Sequence, residues 1–253
     1  MIWRFRYHAA VVVVIAVLWW MLFDTSITPV NGDSRPEFEN VRKLFSNMLQ
    51  HDNEGATLAV LHRGKLLVNL YGGCADSSKN QGWTKNTMAV AYSSTKIWAG
   101  LVAAILAGRK QLNYDQKVSS FWPEFAQNGK ENTTVMDILD HKAGLLTFGK
   151  DFELEEAKDI EFMSKLIEQA TPLWPPGSTR AYHPLTYGFL VDQLVTRLDP
   201  KHRTVAQFYR EEIWKTGIDF SIGSEGLNRD SIAKICDPST SQSVMAHAWR
   251  PLR

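Results

Sequence analysis

The stretch Met88-Ala-Val-Ala-Tyr-Ser-Ser-Thr-Lys-Ile-Trp-Ala-Gly-Leu-Val-Ala-Ala-Ile-Leu-Ala107 constrains this chain more than any other. It starts as an apolar extended run and continues as an apolar helix, predicted over 94–109, so it belongs inside a folded domain. At the join stands Ser93-Ser94-Thr95-Lys96. A serine at a helix start, with a lysine one turn later, brings an amino group beside a hydroxyl, a geometry that activates a nucleophile. The four residues alone carry little weight, because about one Ser-x-x-Lys arises by chance at average residue usage. A second copy, Ser231-Ile-Ala-Lys234, follows the polar Asn228-Arg229-Asp230, where Ser231 reads as the N-cap of a short helix. Only the apolar context of Ser93 marks it as a candidate nucleophile.

The N-terminus carries a different signal. Residues 1–8 form a basic flank with Arg4 and Arg6, and residues 9–23 are uncharged and apolar until Asp24. Such a segment is a signal-anchor or signal-peptide helix. It is shorter than the ~20 residues of a full span, yet Trp19, Trp20 and Phe23 resemble an interfacial belt. Asp24-Thr-Ser-Ile-Thr-Pro is a poor cleavage site, which favours a retained anchor. The arginines favour a cytosolic N-terminus. The expectation is a single-pass membrane protein with a lumenal or extracellular domain, or a secreted one if the segment is cleaved. Cys74 and Cys236 could pair in that compartment, and Asn132-Thr-Thr134 is a glycosylation sequon. With a net charge of +1 and no basic block, nucleic acid is not an expected partner. No Cys or His spacing suits a metal, and no cofactor is expected.

Residues 24–36 read as a linker, 37–236 as the folded domain, and 237–253 as a disordered tail. Helical periodicity runs from Phe38 to Gln50, with Phe38, Val41, Leu44, Phe45 and Leu49 on one face. Ala56–Leu61 and Lys65–Tyr71 read as strands joined by a turn at His62-Arg-Gly64. Helical patterns follow at 94–109, 135–141, 152–170, 184–198 and 204–215. The layout is α+β, an antiparallel hairpin beside a mainly helical subdomain. A hairpin alone cannot bury its face, and no further strand is evident after residue 216, so the sheet reads as incomplete.

A nucleophilic serine needs a base. Tyr182, in Pro175-Pro-Gly-Ser-Thr-Arg-Ala-Tyr-His-Pro184, precedes a helix and could aim its phenol at a cleft. Near Lys96 its pKa would fall, and the phenolate could accept the serine proton. The plain alternative is a half-buried loop aromatic. His183 and His141 are the other candidate bases, since imidazole titrates near neutrality; each also reads as a local hydrogen-bonding residue.

Together, Ser93-x-x-Lys96, Asp137-Ile-Leu-Asp-His-Lys-Ala-Gly-Leu145 and Pro176-Gly-x-x-x-x-Tyr182-His-x-x-Thr-Tyr-Gly188 resemble the serine β-lactamase-related family. It comprises class C β-lactamases, DD-peptidases and esterases. Leu106-Ala-Gly-Arg-Lys-Gln-Leu-Asn-Tyr-Asp115 and Val118-Ser-Ser-Phe-Trp-Pro-Glu-Phe125 resemble its connecting segments, and the likeness covers roughly residues 38–226. The resemblance implies a β-lactamase/transpeptidase-like fold and hydrolysis of a small-molecule or peptide ester or amide through an acyl-Ser93 intermediate. It makes Lys96 the activating amine, Tyr182 the general base, and the Ser93 backbone N–H an oxyanion donor. The Tyr-His-x-x-Thr-x-Gly form looks closest to the esterase-like and animal branch. Two departures stand out. Pro184 occupies a position where the family usually carries an amide. The family's third element is also not found: Lys215-Thr216-Gly217 follows a helix whose C-cap is Gly217, and Asp219-Phe-Ser-Ile-Gly223 matches the segment after it. The alternative expectation is therefore a non-catalytic, membrane-anchored protein or a truncated inactive isoform.

Overall fold

The computed structural model describes residues 29–50 and 54–235. The expected basic flank, the apolar segment 9–23, the tail 237–253 and Cys236 lie outside the described residues. Among the described residues, no helix is long and apolar enough to cross a membrane. The chain divides into two units, one of Ala91–Leu227 and one of the residues up to Val90 together with those from Asn228.

The first unit is built on an antiparallel sheet in the order β1-β3-β2, with β1 at Val30–Ser34, β2 at Ala56–His62 and β3 at Lys65–Gly72. Arg63 and Gly64 both have positive φ, 49° and 73°. That is the two-residue turn whose twist matches the flanking strands. β1 corrects the linker expectation. Asn, Gly and Asp in Val30-Asn-Gly-Asp-Ser34 are poor strand formers, and only pairing along β3, from Val30↔Gly72 to Ser34↔Val68, makes this segment extended. Gly32 is required there: its φ is 86°, and a Cβ would lie 2.0 Å from the Asn69 carbonyl oxygen.

Helix α1, Glu39–Gln50, follows a 3-10 turn opened by Pro36. It lays Phe45 and Leu49 on Val68 and Leu70, the alternating inward positions of β3. Leu44 was expected on that face but is 69% exposed, so the buried stripe is narrower than the sequence implied.

The short pair β4 (Cys74–Asp76) and β5 (Gln81–Gly82) is held by residues 228–235. The Met88 N–H donates to the Ser231 carbonyl and the Ala233 N–H to the Met88 carbonyl, both at 2.8 Å. The apolar run before Ser93 is thus a single bridge, Met88 to Ile232, and not a strand. The second Ser-x-x-Lys is also not a pair. Asn228, not Ser231, caps the 3-10 turn Arg229–Ser231, and Lys234 Nζ turns to Asp76 and Ser78, at 2.9 and 3.0 Å. The Ser78 hydroxyl first, and Lys234 next, lower the Asp76 carboxyl to about 2.

The second unit is mainly helical. Its core joins Val102, Ala103 and Leu106 of α2 (Lys96–Gly108), Met163 and Ile167 of α5 (Ile160–Gln169), and Leu190, Leu194 and Val195 of α6 (Thr186–Leu198). The shorter helices are α3 (Val135–Leu139), α4 (Leu154–Ala157) and α7 (Val205–Phe208). Three expected helices are shorter or broken. The 135–141 pattern stops at Leu139, and His141 turns left-handed, with φ 61°. The 152–170 pattern splits because the Asp159 side chain accepts from the N–H groups of Glu161 and Phe162, which starts a new helix. After α7 the chain widens into a π turn, Tyr209–Ile213, tightens into a 3-10 turn, and ends at Gly217 with φ 89°. Gly217 is the C-cap the sequence implied.

Candidate active site

Ser93 lies in a 3-10 turn, Tyr92–Thr95, that feeds directly into α2. Tyr92 takes a positive φ of 43°, so the chain reverses sharply just before the serine. Lys96, the first residue of α2, stands one turn on, and its Nζ donates to Ser93 Oγ at 3.1 Å. The Tyr182 hydroxyl donates to the same oxygen at 2.5 Å. The three side chains singled out in the sequence therefore converge on one atom, Ser93 Oγ. The site is open to solvent: Tyr182 is 51% exposed, and Ser93 is exposed.

The electrostatics follow from those contacts. Its interaction with Ser93 first, and with Lys96 next, lowers the Tyr182 phenol below its usual value against an opposing desolvation. When the phenol ionises, the Ser93 hydroxyl becomes the donor and the phenolate oxygen the acceptor. Lys96 Nζ also lies 5.0 Å from the Tyr182 ring centroid and 5.8 Å from that of Tyr187, where the ring faces attract a cation.

The two histidines do not reach Ser93; they hold the tyrosine segment. His183 is 1% exposed. Its Nε2 accepts the Leu145 N–H at 3.0 Å, and its Nδ1 lies 2.7 Å from the Ala181 carbonyl. The proton assignment that satisfies both partners is on Nδ1. The His183 N–H donates to His141 Nδ1 at 3.2 Å, and the His141 ring stands 5.1 Å from Tyr182 and 4.6 Å from Tyr187. Burial lowers the pKa of both imidazoles. Held neutral and doubly bonded, His183 is a brace and not a base.

The Asp140-His-Lys-Ala-Gly-Leu145 segment cradles this loop. Gly144 accepts from the Leu173 N–H at 2.8 Å, and Lys142 accepts from the Gly177 N–H at 3.0 Å. Gly144 has φ 73°, and a Cβ would sit 2.7 Å from the Trp174 carbonyl oxygen. One partner escaped sequence reasoning: the Pro184 carbonyl accepts from Lys96 Nζ at 2.9 Å. A motif registers the side chain a proline lacks; it does not register where the proline's carbonyl points. Among the described residues, no group of three or more His, Cys, Asp or Glu side chains is placed to hold a metal.

The Beta-lactamase family profile matches residues 41–233. The chain is 30% identical over 185 residues to the esterase/beta-lactamase LipL of Mycobacterium tuberculosis, a match covering 73% of this chain and 42% of that protein. A penicillin-binding protein homolog from Caulobacter crescentus superposes with a TM-score of 0.74 at 33% identity, covering 84% of this chain and 57% of the other. A family VIII carboxylesterase gives 0.70 at 27% identity, covering 82% and 57%. The chain thus spans about half the length of the relatives it matches. On the profile match, these likenesses and an α+β fold of the β-lactamase/transpeptidase type, the chain belongs to the beta-lactamase family.

Proposed function

We propose that this protein is a serine hydrolase that cleaves a small-molecule or peptide ester or amide through an acyl-Ser93 intermediate. One observation carries the reading: the Tyr182 hydroxyl and the Lys96 amino group both contact Ser93 Oγ. Tyr182, as phenolate, takes the Ser93 proton while Oγ bonds to the substrate carbonyl carbon. The carbonyl electron pair moves to oxygen, where the Ser93 N–H, in the first turn before α2 and so without an intrahelical acceptor, is a donor. Collapse expels the leaving group, which takes the proton from Tyr182. Water then attacks the acyl-enzyme as Tyr182 accepts its proton, and Tyr182 returns that proton to Ser93 Oγ as the bond to the acyl carbon breaks and the acid departs.

The relatives described as an esterase/beta-lactamase and a carboxylesterase support this class of reaction. The reading includes a membrane attachment through residues 9–23, which fractionation of expressed chain with and without that segment tests. The reaction itself is tested with a fluorophosphonate probe on the full chain. Labelling at Ser93 that disappears in Ser93→Ala is expected; labelling unchanged in that variant refutes the mechanism. A second reading, a non-catalytic protein of the same fold, draws on Pro184, which leaves no side-chain amide beside Tyr182. Turnover of a p-nitrophenyl ester, lost in Ser93→Ala, eliminates it.

A further inference from the structure

We propose that Pro184 is a positioning residue of this site: its main-chain carbonyl holds the Lys96 amino group against Ser93, in place of a side-chain amide. This rests on the reading of Ser93 as nucleophile, though the geometry can be tested apart from turnover. Lys96 Nζ has three hydrogens to place. One goes to Ser93 Oγ at 3.1 Å and one to the Pro184 carbonyl at 2.9 Å, and the amino group lies 5.0 Å from the Tyr182 ring centroid. Two of these neighbours change during the reaction, because Ser93 Oγ becomes acylated and Tyr182 gains and loses a proton. The Pro184 oxygen does neither. It can only accept, so it anchors Lys96 through every step while the other hydrogens follow the chemistry.

The carbonyl is aimed from both sides. Proline fixes its own φ near −65° and restricts the residue before it to extended backbone. That preceding residue is His183, locked through its ring to Leu145 and Ala181 and through its N–H to His141. After Pro184 comes Leu185, the N-cap of α6, whose helix starts at Thr186. Pro184 itself is exposed, so nothing in the core requires a proline there. A glycine would keep the carbonyl and lose its direction.

The test compares the full-length chain with Pro184→Gly and Pro184→Ala by ester kinetics against pH, thermal melts, and NMR titration of 13Cζ-labelled tyrosine, with Tyr182→Phe assigning the Tyr182 signal. The groups that face Tyr182 and Lys96 are Ser93 from the turn, Tyr187 from α6, and His141 and His183. Beyond them, Asp140 is paired with Arg180 at 2.7 Å and with Lys142 at 3.3 Å. These are unchanged in both variants, so a shift in the Tyr182 midpoint reports on Lys96.

In Pro184→Gly, kcat is expected to fall roughly tenfold with KM within about twofold, as for a misplaced catalytic group. The Tyr182 midpoint and the acid limb of kcat/KM should both rise by about half a pH unit as the cation drifts away. The melting temperature should stay within about 2 °C. Pro184→Ala, which loosens the ring alone, should move the same way by less, and it carries the test if the glycine variant does not fold. An unchanged Tyr182 midpoint overturns the proposal, as does a rate loss that tracks melting temperature. If the wild-type chain turns over no better than Ser93→Ala while the midpoint still moves, the positioning role stands and the hydrolase reading falls.

Discussion

Replacing Tyr182 by phenylalanine removes one oxygen and leaves everything else about that side chain in place. The ring keeps its edge contact with His141 at 5.1 Å and its place beneath Lys96 Nζ at 5.0 Å. What disappears is the single bond at 2.5 Å to Ser93 Oγ. If Tyr182 is the base, the loss in kcat/KM is the contribution of one general base, roughly 10²–10⁴-fold. Acylation and deacylation should both slow, because the same oxygen serves each. The hydroxyl sits on a side chain that is half exposed, so the melting temperature should move by no more than about 2 °C.

The pH dependence has a definite sign. Ser93 and Lys96 lower the Tyr182 phenol below 10, so wild-type activity should rise with pH through a midpoint below that value and then level off. Tyr182→Phe should lose that limb, not merely shift it. The assay is hydrolysis of p-nitrophenyl acetate across pH, run alongside fluorophosphonate labelling of Ser93. A variant that keeps activity within threefold of wild type, or keeps the limb at the same midpoint, refutes the assignment of Tyr182 as base.

Further outcomes follow from the scaffold. Arg203→Met should cost about 3–5 kcal/mol in urea unfolding, because it strips the bidentate partner at 2.7 and 2.9 Å from Asp199, which is 1% exposed. Adding Asp199→Asn should recover part of that loss, and equal melting curves for the single variant and wild type would contradict it. His183→Phe should destabilise by about 1–3 kcal/mol by orphaning the Leu145 N–H, and should slow Ser93 labelling through the tyrosine loop; labelling at the wild-type rate would show that the brace is dispensable. The contacts of residues 228–235 should weaken in acid. The folded pKa of Asp76, about 2, lies below its ordinary 3.8, so the stabilisation is present above that ordinary value and is lost as pH falls through about 2. Hydrogen exchange should show the Lys234 amide losing protection over that interval while α5 keeps its own; simultaneous loss in both would contradict a local latch.

Elements whose signal is carried by consecutive residues were legible in the sequence. The hairpin at 56–72, the Gly217 cap and the apolar helix after Ser93 each depend on local pattern and turn chemistry, and the structure places them where the pattern does. β1 was not legible, because Val30-Asn-Gly-Asp-Ser34 has turn composition and becomes a strand only through pairing with β3. The split at Asp159 was hidden for a related reason: either side of it reads as one amphipathic pattern, and a side-chain cap decided the break. Among the histidines, residue type suggested a base, whereas burial and two hydrogen bonds made His183 a brace.

The sequence by itself determined that a serine and a lysine would meet. They are three residues apart at the start of one helix, and helical geometry brings such neighbours together whatever surrounds them. It also determined which types of residue could serve them. Only the tertiary structure decided which ones do. Tyr182 lies 89 positions from Ser93, and its hydroxyl arrives at Oγ because the His141–His183 brace and the start of α6 aim the loop. The same folding turned Pro184, which as a side chain offers nothing polar, into a hydrogen-bond acceptor for Lys96. A carbonyl's direction is a property of the backbone path, and the path is fixed by contacts between segments far apart in the chain.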